Sequence, residues 1–255
     1  MPKKMGKHTP YFELVEAQAM AGCPICRLVA KATDRYLDGL LWEAVLDPHV
    51  RAKLKGSQGF CAEHVAMLRR KPGRALGIAL IYRDIVRDLI RSLEKAQFDS
   101  GGSPLKRLVG KSARNQGLID DLSATVDCPA CAIGQQSADN NLDLLLAYLD
   151  DERMYKAYAS GEGLCLPHLI RAIERTDSAE SLRRLVEPQA ARYRRMLADL
   201  DEFIRKRDHR FRHEKYGEEG DVWLRTLNSI VGGAGLGLSA KSGGRRTAEF
   251  GGEEP

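Results

Sequence analysis

Residues 23–26 read Cys-Pro-Ile-Cys, and residues 128–131 repeat the pattern as Cys-Pro-Ala-Cys. Each is followed by a second motif, Gly-Phe-Cys-Ala-Glu-His at 59–64 and Gly-Leu-Cys-Leu-Pro-His at 163–168. Cys128 lies 105 positions after Cys23, and Cys165 lies 104 positions after Cys61. All six cysteines of the chain belong to these four motifs, so the motifs define how the chain is organised.

The repetition extends beyond the cysteines. Asp34 matches Asp139, Asp47 matches Asp151, and the Leu-Asp pair at 37–38 recurs at 142–143. Matched motifs in one order, at nearly constant spacing, indicate tandem duplication of a unit of roughly a hundred residues. We therefore predict two helical Cys3His repeats joined by a linker. The predicted bounds are 10–98 for the first repeat, 99–112 for the linker and 113–214 for the second repeat.

The apolar pattern predicts an all-α fold. Apolar residues recur at helical spacing, whereas the alternating pattern of strands is absent. Long helices are expected at about 74–98 and 179–212, near the end of each repeat. A C-terminal helix is predicted at 215–232, and the Gly-rich, polar segment 233–255 is expected to be disordered.

Each repeat offers three thiols and one imidazole, which is a common ligand set for structural zinc. Two ligands spaced i and i+3 at the start of a helix project from one side of its first turn. Free amide groups and the positive end of the helix dipole favour thiolates there. We therefore predict two zinc ions bound at facing helix N-termini. The candidate metal ligands are Cys23, Cys26, Cys61, His64, Cys128, Cys131, Cys165 and His168.

Other chemistries stay open at these cysteines. Three cysteines and a histidine could instead hold an iron–sulfur cluster. The C-P-x-C spacing also resembles a thiol redox motif, although the βαβ pattern that accompanies such motifs is missing. Haem attachment is disfavoured because Arg27 and Ala132, rather than histidines, follow the two motifs.

The sequence leaves the pairing of the motifs undecided. A helix from 26 to 41 travels about 22 Å, and the fourteen residues from Asp47 to Cys61 can return over that distance. Each repeat could therefore close its own site. We therefore expect one site in each repeat, although the sequence alone does not exclude sharing of ligands between the repeats.

Composition limits the class of protein. The 255 residues are 43% apolar with a net charge of +5, which suits a globular chain and does not by itself call for nucleic acid. No secretory signal or membrane-spanning run is found, so we expect a cytoplasmic protein without membrane contact. In a reducing compartment, disulfides are the minority explanation for paired cysteines.

No catalytic constellation is found outside the metal motifs, so the sequence favours a binding protein over an enzyme. The stretch 205–215 is rich in basic residues and could contact nucleic acid. The simpler interpretation is a solvated helix end. The basic residues concerned are Arg205, Lys206, Arg207, Arg210 and Arg212.

The motifs CPICRL, YLDGLLWEAVLDPHVR, GFCAEH, CPAC and GLCLPHL resemble an uncharacterised bacterial family of helical proteins, a domain of unknown function. The resemblance covers about residues 10–232. It implies a bacterial origin and paired Cys/His motifs, which the eight candidate ligands carry here, but it supplies no reaction. The sequence thus predicts a metal-stabilised helical scaffold that binds an unknown protein or other macromolecule, with an iron–sulfur or thiol redox protein and a nucleic-acid-binding protein as alternatives.

Overall fold

A computed structural model describes residues 8–96, 116–211 and 213–233, and these residues form helices without any strand. The predicted all-α class is confirmed. The predicted linker 99–112, Arg212 and all of the predicted tail except Gly233 lie outside the described residues. The α-helices are α1 (Thr9–Gln18), α2 (Pro24–Gly39), α3 (Pro48–Gly56), α4 (Ala62–Leu68), α5 (Ala75–Glu94), α6 (Gln116–Leu122), α7 (Pro129–Ala147), α8 (Glu152–Ser160), α9 (Leu166–Ile173), α10 (Ala179–Arg207) and α11 (Val222–Val231).

The ends of these elements have local causes. A π-helical turn, Leu40–Ala44, extends α2, and short 3-10 turns at His209–Phe211 and Glu218–Asp221 follow α10 and precede α11. The long helix that was predicted to reach residue 212 ends at Arg207, because the next residue, Asp208, adopts an extended conformation. None of the described helices combines the length and the apolar character needed to cross a membrane.

Matched aspartates begin the third helix of each half. The Asp47 side chain accepts hydrogen bonds from the backbone N–H groups of His49 and Val50, at 2.8 and 3.0 Å. The Asp151 side chain accepts one from Met154 at 3.2 Å. Such caps satisfy amide groups that have no partner within the helix.

The chain divides into two compact units. The continuous unit consists of Lys31–Gln136, and the discontinuous unit combines Met1–Ala30 with Ser137–Pro255. These units are not the predicted repeats 10–98 and 113–214, because each unit contains segments from both halves of the chain. The repeat boundaries stay a prediction about the sequence.

Each unit has an apolar core of its own. In the discontinuous unit, α1 packs against α8, and Leu14, Leu142 and Tyr158 are fully buried. In the continuous unit, Leu37 and Leu54 are buried with Ile81 of α5. Burial of each such side chain stabilises the folded state by about 1.5–3 kcal/mol. The two cores therefore hold in place the helices whose first turns carry the cysteines.

Candidate metal centres

The first group of candidate ligands lies in the discontinuous unit and is called the Cys23 site. It contains Cys23 and Cys26 together with Cys165 and His168, whose ligand atoms all lie within 4.8 Å of one another. The sulfurs of Cys26 and Cys165 are 3.6 Å apart. Nδ1 of His168 lies 3.4 Å from the Cys26 sulfur and 3.1 Å from the Cys165 sulfur.

The second group lies in the continuous unit and is called the Cys61 site. Cys61 and His64 join Cys128 and Cys131, again with all ligand atoms within 4.8 Å. The sulfurs of Cys61 and Cys131 are 3.6 Å apart. Nδ1 of His64 lies 3.0, 3.5 and 3.6 Å from the sulfurs of Cys61, Cys131 and Cys128.

All eight predicted residues are therefore brought together, but closure within each repeat is wrong. Each site combines the C-P-x-C motif of one half with the C-x-x-H motif of the other half, which is the shared arrangement that the sequence left open. The two candidate ligands within one motif are close because they lie on the same helical turn, and the i, i+3 spacing in the sequence predicts this. The partner of each motif depends on which helices pack together, and motif spacing does not contain that information.

Four helix N-termini position the ligands. The backbone carbonyls of Cys23, Cys61, Cys128 and Cys165 each accept a hydrogen bond from the residue four positions later, at 2.8 to 3.3 Å. Each of these cysteines thus stands at the start of a helix, and the second ligand of its motif follows three positions later in the first turn. The starts of α2 and α9 form the Cys23 site, and those of α4 and α7 form the Cys61 site. The predicted use of paired helix starts agrees with this geometry.

Glycines with left-handed backbone lead into two of the cysteines. Gly59 has φ +90° and Gly163 has φ +75°, which only glycine adopts without strain. The backbone N–H of the residue after Gly59, Phe60, donates to the Tyr82 hydroxyl at 3.3 Å. After Gly163, the backbone N–H of Leu164 donates to Oε1 of Gln189 at 3.2 Å, and the Leu164 carbonyl accepts a hydrogen bond from Nε2 of Gln189 at 2.9 Å. The long helices α5 and α10 thereby hold the two segments that present Cys61 and Cys165.

The two sites differ in their exposure. All three cysteines of the Cys23 site are buried, whereas Cys131 of the Cys61 site is exposed. The backbone N–H of Gly233 also donates to the Cys26 sulfur at 3.3 Å. A Cβ at Gly232 would lie 3.2 Å from the Cys165 sulfur, so the chain that leaves α11 approaches the site closely. The sequence motifs did not predict any contact of these two glycines with the site, although a glycine directly after a helix is a signal for a helix end.

Protonation of the Cys23 site reflects burial and close neighbours. Burial raises the pKa of the Cys23 thiol. Hydrogen bonds from Cys165 and Cys23 strongly lower the pKa of Cys26. The pKa of His168 is raised to about 9, because its hydrogen bonds to Cys165 and Cys26 outweigh the opposing effect of burial. A metal ion that binds here must displace these protons.

The Cys61 site shows the same competition between burial and hydrogen bonding. Burial and the neighbouring Cys61 and Cys128 raise the pKa of Cys131 to about 12. Burial alone would raise the pKa of Cys128. The pKa is nevertheless lowered, because hydrogen bonds from the backbone N–H groups of Cys61, Cys131 and Ala130 stabilise the thiolate. Burial lowers the pKa of His64, which favours the neutral imidazole that a metal requires.

The predicted nucleic-acid surface is occupied by internal ion pairs. Arg205 contacts Glu202 at 2.7 Å and Glu214 at 2.5 Å. Lys206 contacts Glu219 at 2.6 Å, and Arg210 contacts Asp208 at 2.7 Å. These acids reduce the positive charge that the stretch can offer to phosphates. Nucleic-acid binding stays a prediction without structural support among the described residues.

A model of a family of unknown function, DUF6062, matches residues 8–235. The chain belongs to this family. It is also similar to an uncharacterized 23.9 kDa protein in the xynA 3' region of Caldicellulosiruptor sp. (strain Rt8B.4), with 24% identity over 212 residues that cover 82% of this chain and 95% of the relative. No solved structure matches the chain significantly. These comparisons agree with the resemblance drawn from the motifs, and none of them assigns an activity.

Proposed function

We propose that the chain is a zinc protein that holds two structural Zn²⁺ ions, one in the Cys23 site and one in the Cys61 site. The observation that carries this proposal is the convergence of all eight ligand atoms into two Cys3His groups. Zinc–sulfur bonds of about 2.3 Å in a tetrahedron place two sulfurs about 3.8 Å apart. The 3.6 Å between the paired sulfurs of each site is close to that value.

The size of each group favours a single ion over a cluster. An iron–sulfur cluster distributes its ligands over two or more iron atoms. Sulfurs bound to different irons lie well beyond the 4.8 Å that contains each group here. Three sulfurs and a nitrogen that converge on one point also differ from a redox pair, which needs only two thiols.

We also propose that the two halves of the chain are copies of one ancestral unit. Lys71 contacts Asp34 and Asp38, at 2.5 and 2.8 Å. At the matching positions 104 or 105 residues later, Arg175 contacts Asp139 and Asp143. Equivalent ion pairs at equivalent positions support a duplication that the matched motifs predict.

The zinc ions would stabilise a helical scaffold for a protein or other macromolecule in the bacterial cytoplasm. Structural zinc contributes on the order of 10–16 kcal/mol in small zinc peptides. That is comparable with the whole stability of a typical domain. A reducing compartment suits the arrangement because the six cysteines are free thiols.

Elemental analysis of protein purified anaerobically and without chelator tests the zinc assignment. We expect about two zinc ions per chain, no iron and no visible absorption. A brown protein with iron would support the iron–sulfur alternative instead. A folded protein without any bound metal would contradict both assignments.

A further inference from the structure

The discontinuous unit contains a cleft of about 710 Å³ that extends well beyond the candidate metal ligands. Its walls come from the end of α1, the segment 160–165 and helices α10 and α11. The volume is within the range of about 300–1,000 Å³ that is typical of small-molecule sites. Cys23 and Cys165 also line the cleft, so it adjoins the Cys23 site.

Several residues that line this cleft carry buried polar atoms without a hydrogen-bond partner. Five buried side-chain N or O atoms of the described residues have no hydrogen-bond partner, and three of them belong to cleft residues. The three are Nη2 of Arg192, Nδ2 of Asn228 and Oε1 of Gln18. Buried polar groups are normally paired, so an accumulation of unpaired ones indicates a missing partner.

Arg192 defines the charge of that partner. The residue is 6% exposed, and its guanidinium donates to the Gly161 carbonyl at 2.6 Å and to the Gln189 side chain at 3.2 Å. No carboxylate of the described residues forms an ion pair with it, whereas the cleft residue Arg225 is neutralised by Asp199 and Asp221. A buried guanidinium without an anion is costly, so an oxyanion would be stabilised here.

The remaining atoms define the rest of the ligand. Asn228 offers a second donor, which suits the same oxyanion, and the Gln18 oxygen requires a donor from the ligand. Glu162 also lines the cleft, and its carboxylate already accepts a hydrogen bond from the Gly22 backbone at 2.6 Å. The three unsatisfied atoms are covered from bulk water, so binding requires side-chain movement at the walls. Met20 and Met196, which line the cleft, have the flexibility for this movement.

We propose that the cleft binds a small organic molecule that carries an oxyanion, a carboxylate or a phosphate, together with a hydrogen-bond donor such as an amine or hydroxyl. The oxyanion contacts Arg192 and Asn228, and the donor group contacts Gln18. Arg192 and Gln189 also donate hydrogen bonds to the backbone of the segment that leads to Cys165. The ligand would therefore bind beside the Cys23 site.

Calorimetry and thermal unfolding of the zinc-loaded full chain test this proposal with four probes. L-glutamate and L-malate carry a carboxylate and a donor, O-phospho-L-serine adds a phosphate, and succinate lacks the donor. We expect saturable binding and a rise in Tm with at least one of the first three, and weaker binding of succinate. A stronger response to O-phospho-L-serine than to L-glutamate would identify phosphate as the preferred oxyanion.

Asn228→Asp places a negative charge against the oxyanion and should weaken binding at least about tenfold. Asn140→Asp makes the same change at an exposed position outside the cleft and should leave binding unchanged. If Asn228→Asp does not fold, Asn228→Ala replaces it and should also weaken binding.

Zinc content is measured on the same samples, so that a failure of the cleft proposal can be distinguished from a failure of the zinc proposal. The absence of binding by all four probes at about 10 mM, with both zinc ions in place, would overturn the cleft proposal alone. Equal affinity of the wild type and the folded Asn228 variant would overturn it too.

Discussion

Cys26 and Cys165 share one site although 139 positions separate them, and this pairing can be tested with double variants. Cys26→Ser with Cys165→Ser removes two ligands from one site, so one zinc ion per chain should remain. Cys26→Ser with Cys61→Ser removes one ligand from each site, so both ions should be lost or strongly weakened. Metal content after dialysis gives the answer.

The single variants Cys26→Ser and Cys131→Ser are the controls for these double variants. Each should lose one ion and leave the other site occupied, because the two sites have no ligand in common. Sites closed within each half would reverse the two double-variant results. The pairing described here would then be wrong.

The difference in exposure between the sites should appear as two phases of zinc release. Cys131 is exposed, whereas Cys23, Cys26 and Cys165 are buried and Cys26 accepts a hydrogen bond from Gly233. A chelator should therefore remove one ion quickly from the Cys61 site and the second slowly. A colorimetric zinc indicator follows both phases, and Cys131→Ser should abolish the fast one. Simultaneous release of both ions would contradict the expectation.

The residues of the two Cys/His groups could be predicted at the residue scale, but the pairing of their motifs could not. An i, i+3 pair at a helix start is a local property, and the four motifs identify all eight candidates. The hydrogen bond from Gly233 to Cys26 joins residues 207 positions apart, so it depends on tertiary packing that the sequence pattern does not specify.

At the scale of elements, the segment that presents Cys165 depends on Gly163. A Cβ at this position would lie 2.4 Å from Nη1 of Arg192, and the backbone has φ +75°. Gly163→Ala should therefore cost about 1–3 kcal/mol in backbone strain and also displace the Arg192 side chain. Chemical denaturation of the zinc-loaded protein measures the loss.

Gly22→Ala is the matched control for Gly163→Ala. Gly22 also has a positive φ, +83°, but a Cβ there would meet no atom within 4 Å. The Gly22→Ala variant should lose stability only through backbone strain, and it should keep its zinc at low chelator concentration. Equal losses of stability and zinc in both variants would show that Arg192 does not restrain the segment.

The helices themselves were largely predictable, whereas their ends were less so. The aspartates at 47 and 151 begin helices because their side chains cap free amide groups, and this signal is local. Near the end of α10, Lys206 forms an ion pair with Glu219 of the turn at Glu218–Asp221. Such contacts join separate elements, which apolar periodicity does not reveal.

At the scale of the whole molecule, each half of the chain supplies part of both units. Residues up to 30 join the C-terminal half in the discontinuous unit, and residues 116–136 join the N-terminal half in the continuous unit. A protease site inserted between residues 99 and 112 would cut the chain between the halves. After cleavage of the folded, zinc-loaded protein, the two fragments should still elute together in gel filtration.

Removal of zinc from the cleaved protein should then favour separation of the fragments, because both metal sites join the two halves. The intact protein treated with the same chelator is the control for general unfolding. Fragments that separate while each retains one zinc ion would indicate that each half closes its own site.

The order of the candidate ligands along the chain sets when each site becomes complete during synthesis on the ribosome. The Cys61 site is complete once Cys131 has emerged, but Cys23 must wait for His168, which follows it by 145 positions. At about 5–20 residues per second, this interval is on the order of ten seconds. If the sites hold zinc as proposed, Cys23 and Cys26 can meet their native partners, Cys165 and His168, only after the second half of the chain has been made.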